Sequence, residues 1–383
     1  MLSKSIATFA TLAAIVSVHA APVASSSSNL LSKLYGSSSP AGAPAAPTEA
    51  AGGDTTPFVY PLSNGFPANN LSKDSIAAIQ AQAFGTIPNG PAPASLANDD
   101  ITSLELIAFN EIFEVAFFTD LLYNVTNKVP GYEVSNDADY QQLVATITAV
   151  QAQEELHALF ANSAVAAFGH PAIQGCAYNF PVSTLKDALS LAKLFTDVVL
   201  GVLPNIQSHF AANGDAALIP GVGSVIGQEG EQNGYYRTAL GLVPSALPFL
   251  TASSRAFAFS ALNQFFVIPG SCQASVSQIN LPIFPALAVS PAQPNATTQT
   301  LTFSSSSDCS KAAALVYINQ QNTPIVVDIT QSGSGVFTAN FPYSDNLMNG
   351  LTIAALVSSK GPFADADAVA AATIAGPAFI EIN

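Results

Sequence analysis

Tryptophan is absent from the 383-residue chain, cysteine occurs three times, and lysine and arginine together number ten. Ten scattered cations against 25 acids, for a net charge of −15, leave no clustered positive surface, so a nucleic-acid-binding role is excluded. Without tryptophan there is no indole platform on which a sugar ring could stack. Cys176, Cys272 and Cys309 contain no C-x-x-C pair, which excludes a thiolate zinc site. No Gly-x-Ser-x-Gly elbow occurs, so a Ser/His/Asp hydrolase has no local support. Gly221-Val-Gly223 lacks both a preceding strand and the third glycine of a dinucleotide fingerprint. A pair of opposed glycosidase carboxylates is the one hydrolase arrangement left open.

What is present points outward from the cell. Charged residues make up only 9% of the chain, while it carries 26 prolines and 24 glycines. Lys4 followed by the apolar run 6–18, with small residues at Val18 and Ala20, reads as a signal peptide over residues 1–20. That run is too short for a membrane span, and no later segment offers eighteen uninterrupted apolar residues. The expected localisation is therefore secreted, extracellular or cell wall, with no membrane span. Asn70-Leu-Ser72, Asn124-Val-Thr126 and Asn295-Ala-Thr297 are glycosylation acceptor sequences. In an oxidising compartment one cysteine pair should close, and Cys176 with Cys272, both in Gly/Pro-flanked loops, is the favoured pair.

Residues 21–99, rich in Ser, Ala and Pro, read as a flexible arm and linker, with Phe58, Tyr60, Phe66 and Phe84 available to lie against a folded body. From 100 to 290 the pattern is helical. Helices are expected at about 103–123, at 137–168 ahead of Gly169 and Pro171, and at 184–208 behind a Thr184/Asp187 capping box with a kink at Pro204. A fourth should follow Pro220 and end near Gly241. Its Gly223, Gly227, Gly230 and Gly234 form one stripe, which predicts close approach of another helix. A further helix is expected over 254–266. Beyond 298 the texture becomes short apolar or alternating runs separated by turns, a β pattern of six or seven strands. The predicted fold class is α+β: a four-helix bundle followed by a small sandwich-like module over 298–383.

Acids in the helix interiors carry the chemistry. Glu111 and Glu114 share a face of the first long helix, and Glu154-x-x-His157 sets a carboxylate beside an imidazole on the second. Asp197 is a lone acid in an apolar run of the third, and Glu229-x-x-Gln232 repeats the spacing on the fourth. Glu111 lies about 15 residues before the loop at 126–136 and Glu154 about 17 after it, near level at ~1.5 Å per residue. A carboxylate-rich bundle centre with E-x-x-H is the arrangement that holds two iron or manganese ions. His170 and His209 read as solvated.

Four segments in order, Asn110-Glu-Ile-Phe-Glu114, Gln153-Glu-Glu-Leu-His157, Cys176-Ala-Tyr-Asn-Phe-Pro181 and Gln228–Arg237, make residues 100–290 resemble the ferritin-like domain of secreted fungal stress-response and late sexual development proteins. The resemblance implies a ferritin-like fold and names Glu111, Glu154, His157, Asp197 and Glu229 as ligands of iron or manganese. Glu114 and Gln232 are then supporting residues. Two departures stand out: Asp197 is a methylene shorter than the expected Glu, and Gln232 replaces a second His. The resemblance also implies a role in stress or development, with cell-wall or extracellular-matrix components as partners. The other reading is a non-enzymatic structural protein of the wall or matrix with a degenerate metal site.

Overall fold

The structure is a computed structural model and describes residues 57–382 except 69, 91, 92 and 292. The signal peptide and most of the arm, residues 1–56, lie outside the described residues. Residues 57–90, assigned above to a flexible arm, are part of the folded body. Phe58 pairs its backbone with Tyr178, the Tyr60 hydroxyl donates to the Ile112 carbonyl, and Phe66 is fully buried. The short helix α1 (Lys73–Gln82), capped by Ser72, follows. Phe84 does not join this packing and is 86% exposed.

Four long helices make the body: α2 (Asn98–Thr126), α3 (Asp137–Ala167), α4 (Leu185–Asn213) and α5 (Ile219–Ala239). Their ends follow local chemistry. The Asn136 side chain accepts from the amides of Ala138 and Asp139. Thr184 accepts from the Asp187 amide while its hydroxyl donates to the Asp187 carboxylate at 2.7 Å. α4 runs through Pro204 and stops at Gly214, whose φ of 88° is the left-handed turn glycine adopts most readily. By length and composition α4 could cross a membrane, but 78% of its apolar window is buried within the fold. The bundle core is aromatic. Phe113 lies 5.3 Å from Phe195, 5.8 Å from Tyr178 and 4.8 Å from Phe266, ring centre to ring centre.

The α3–α4 connection is fixed at both sides: Tyr178 bridges Phe58 and Val267, and Cys176 forms a disulfide with Cys272. Cys309 is a buried free thiol. Two further helices, α6 (Arg255–Phe265) and α7 (Gln273–Gln278), lead out of the bundle.

The C-terminal region has two four-stranded antiparallel sheets. One orders β1 (Ala288–Ser290), β2 (Gln299–Ser304), β6 (Val336–Phe341) and β5 (Ile329–Gly333). The other orders β4 (Ile325–Val327), β3 (Ala314–Asn319), β7 (Gly350–Val357) and β8 (Thr373–Ile382). Short helices α8 (Tyr343–Asn346) and α9 (Ala366–Ala372) precede β7 and β8. The second sheet is a middle layer. Alternate residues Val316, Ile318, Ile353 and Ala355 join the helical core, while Leu315, Tyr317 and Leu356 face the other sheet's Leu301, Phe303 and Phe341. Burial on both faces explains why β3 and β7 lack polar alternation in sequence.

Two expectations change. The glycine stripe of α5 meets a helix at one end only: a Cβ at Gly223 would lie 3.0 Å from Gln207 Nε2 of α4, whereas one at Gly227 or Gly230 would meet nothing within 4 Å, and Gly234 faces only the Pro244 carbonyl at 3.9 Å. His209 is only partly solvated, with 26% side-chain exposure. Its two ring nitrogens lie 3.0 Å from Asp99 and 3.0 Å from Asp367, tying the start of α2 to α9. His170 keeps the exposure expected of it, 40% at its side chain, while one ring nitrogen lies 3.2 Å from the buried Glu105.

Candidate metal centre

At mid-bundle, α2 contributes Glu111, α3 contributes Glu154 and His157, and α5 contributes Glu229. One donor atom from each of the four lies within 4.8 Å of the others. The spacing that brings them together is local on α3, where the i, i+3 repeat puts His157 Nδ1 2.8 Å from Glu154 Oε2. It is tertiary elsewhere: His157 Nδ1 is also 3.4 Å from Glu111 Oε2, across the α2–α3 interface. Glu111, Glu154 and Glu229 are all buried, and His157 retains 16% side-chain exposure.

Oxygens there lack hydrogen bonds. Glu114 Oε2 and both oxygens of Glu229 are buried with no hydrogen-bond partner among the described residues, and Glu111 Oε2 has only the 3.4 Å contact with His157 Nδ1. A buried polar atom left this way costs about 1–3 kcal/mol, more when charged, so these groups side by side call for a cation. The electrostatics agree. Burial pushes Glu111 up to about 7, helped by the charge of Glu154 and opposed by His157. Burial, then Glu154 and Glu111, raise Glu114 well above the carboxylate range; burial, then Glu114, Glu154 and Glu111, do the same to Glu229. Burial also acts to raise Glu154, but the adjacent imidazole overcomes it and holds that carboxyl low. Burial opposes the charged form of His157, yet Glu154 and Glu111 keep it well above the usual imidazole range.

Gln232 donates a short hydrogen bond to Glu154 Oε1 and accepts one of 3.2 Å from the Tyr236 hydroxyl. It therefore orients Glu154 from the position where a second histidine was expected. Glu114 stands closer to the centre than a supporting residue need: one oxygen accepts from Asn110 at 2.8 Å and the other is among the unpartnered atoms. Its i, i+3 spacing from Glu111 was the available signal.

Asp197 is not brought into this group. It is buried, its Oδ1 accepts from Asn233 at 2.8 Å, and its Oδ2 is 4.0 Å from Lys193 Nζ. Lys193 in turn forms a buried ion pair with Glu381 of β8. The acid of α4 is therefore held by a cation one turn back on its own helix, a spacing visible in the sequence. Glu155, beside Glu154, faces away from the centre. It accepts from Asn64 at 2.8 Å and Gln151 at 2.6 Å, and burial pushes it up to about 7.

Of the glycosylation acceptors, Asn70 and Asn295 are exposed. Asn124 is buried in α2 with its amide donating to Asp120 at 3.0 Å, which leaves no room for a glycan on the folded chain.

A bundle of four long helices with acids and one histidine converging at its middle defines the class as a helical bundle with a buried carboxylate/histidine cluster. Residues 99–242 match the family model of the ferritin-like domain, so the helical half is a ferritin-like domain followed by two antiparallel sheets. No curated protein matches the chain.

Proposed function

We propose that this is a secreted ferritin-like protein of stress or development that holds iron or manganese among Glu111, Glu154, His157 and Glu229, with Glu114 beside them. The observation that carries the metal reading is the set of buried carboxylate oxygens without partners. Four ionised carboxylates match the charge of two divalent cations, which favours a two-metal centre. Oxygen donors with a single imidazole suit iron or manganese rather than thiolate-seeking metals. A bound metal of this kind supplies Lewis-acid or redox chemistry. The chain's own residues fix the donors: Gln232 and His157 orient Glu154, Tyr236 orients Gln232, and Asn110 orients Glu114.

Secretion is supported by the N-terminal apolar run, the exposed acceptor sequences at Asn70 and Asn295 and the Cys176–Cys272 disulfide. Wall or matrix components are the partners proposed, since the acidic surface disfavours nucleic acid.

Metal content of the full-length protein, measured by mass spectrometry after iron or manganese loading, tests the reading. The wild type should hold near-stoichiometric metal, Glu154→Ala/His157→Ala should lose it, and Asp197→Asn should keep it. No metal in the reconstituted wild type overturns the proposal and leaves the structural wall protein. Loss of metal in Asp197→Asn overturns the ligand assignment.

A further inference from the structure

The buried charges where α4 meets β8 play no part in the metal reading. Along β8, Ile380 and Ile382 pack toward the other sheet, so the alternation turns Phe379 and Glu381 to the helices. There Lys193 Nζ of α4 is in direct contact with Glu381 Oε1, the two side chains being 2% and 0% exposed. Apart from Lys193, neither Glu381 oxygen has a hydrogen-bond partner among the described residues. One turn along α4, Asp197 Oδ2 lies 4.0 Å from the same nitrogen and likewise accepts no hydrogen bond, while Asn233 holds Oδ1 at 2.8 Å. An amine, an acid touching it and a second acid beside them are thus closed off from water.

We infer that Lys193 and Glu381 condense to an amide, a cross-link that joins the helical domain covalently to the β-region, with Asp197 as the proton carrier. As an ion pair the two are poorly supported, since taking both ions out of water is costly and no backbone amide shares the charge of Glu381. Passing one proton from the ammonium to the carboxylate leaves a neutral amine and a neutral acid. These are the forms an apolar interior favours and the forms that react. Burial lowers the Lys193 amine to about 8, against the charge of Asp197 and with that of Arg237. Burial also raises the Asp197 carboxyl, against Lys193, Asn233 and Arg237, which favours its protonated form. The Nζ lone pair attacks Cδ of Glu381, the Nζ–Cδ bond forms, and the bond from Cδ to the hydroxyl oxygen breaks. Asp197 protonates the departing hydroxyl and takes a proton back from the nitrogen, its approach tightening as the bond forms. The products are one amide and one water, with nothing oxidised or reduced. Groups held in contact reach effective concentrations on the order of 10⁵ M or more, and a site that excludes water opposes the reverse hydrolysis. None of the three residues belongs to the metal cluster, so the cross-link needs no cation.

The test is a tryptic map of the secreted full-length protein, reduced and denatured before digestion and read by mass spectrometry. Cleavage after Lys186, Arg237 and Lys360 releases segments 187–237 and 361–383, and neither contains a cysteine or a glycosylation acceptor. In the wild type the two should appear as one species, uncut after Lys193 and lighter than their sum by one water, about 18 Da. Lys193→Met and Glu381→Leu should each release them separately at full mass. Asp197→Asn should slow the linking by about 100-fold or more, leaving freshly secreted protein largely unlinked. Separate, full-mass segments from the wild type overturn the proposal, and that result needs no variant to fold. A link that survives Lys193→Met overturns the choice of residues, and full linking in Asp197→Asn removes Asp197 from the step. Metal content is read separately, so failure here is distinguishable from failure of the metal reading.

Discussion

Raising the pH of the metal-free protein from 5 to 8 should weaken it, and the structure fixes both the sign and the size. Glu155 has its carboxyl pushed from about 4.5 to about 7 by burial, against the hydrogen bonds from Asn64 and Gln151. Below pH 4.5 this group is protonated folded or unfolded and has no effect on stability. Between 4.5 and 7 the unfolded chain gives up the proton and the fold retains it, so stability falls as pH rises. At about 1.4 kcal/mol per pH unit the loss from Glu155 reaches about 3 kcal/mol. Glu111, likewise moved up to about 7, acts with the same sign. His157 is raised, so its contribution is complete below the unfolded imidazole value of about 6.5 and is lost at higher pH, again the same sign. Glu154, held low, acts oppositely but only below about pH 4.5. Against a typical total of about 5–15 kcal/mol, the effect is large. Urea unfolding of the chelated chain, followed by circular dichroism at pH 5, 6, 7 and 8, measures it. Glu155→Gln should remove its ~3 kcal/mol of the slope. Manganese should flatten the part owed to Glu111 and leave that of Glu155. A metal-free stability that is flat or rises between pH 5 and 8 would refute the reasoning, because these carboxyls would then ionise normally inside the fold.

Other outcomes follow from single contacts. Lys193→Met leaves Glu381 buried and unpaired and should cost about 3–5 kcal/mol from the stranded charge alone, while Lys193→Met/Glu381→Leu should recover that part, read as urea midpoints. Opening the Cys176–Cys272 bridge, which spans 96 residues, should destabilise the chain by about 2–5 kcal/mol, seen as a lower thermal midpoint of Cys176→Ser/Cys272→Ser. In a eukaryotic secretory host Asn124→Gln should leave the glycoprotein mass unchanged, since that side chain is buried in α2. Mass loss in that variant would mean the glycan is attached before α2 packs.

The sequence by itself determined the features that depend on neighbours a turn apart. The helix spans were legible because caps such as Thr184/Asp187 and stops such as Gly169 are local, and so were the strands β2, β3, β6 and β7. The Glu154/His157 pair was legible for the same reason, as i, i+3 residues must share a helix face. What depends on how a helix is rotated against distant chain was not. Asp197 reads like a ligand, but its place was decided by Lys193 and by Glu381, which arrives on the last strand of the chain. The glycine stripe of α5 reads like a seam, yet only tertiary packing determines whether a glycine face meets a helix or open space. His209 reads as solvated until α2 and α9 each bring an aspartate to it. Local hydrogen bonding and periodicity are written residue by residue, whereas the azimuth of a helix is set by the whole surface it packs against.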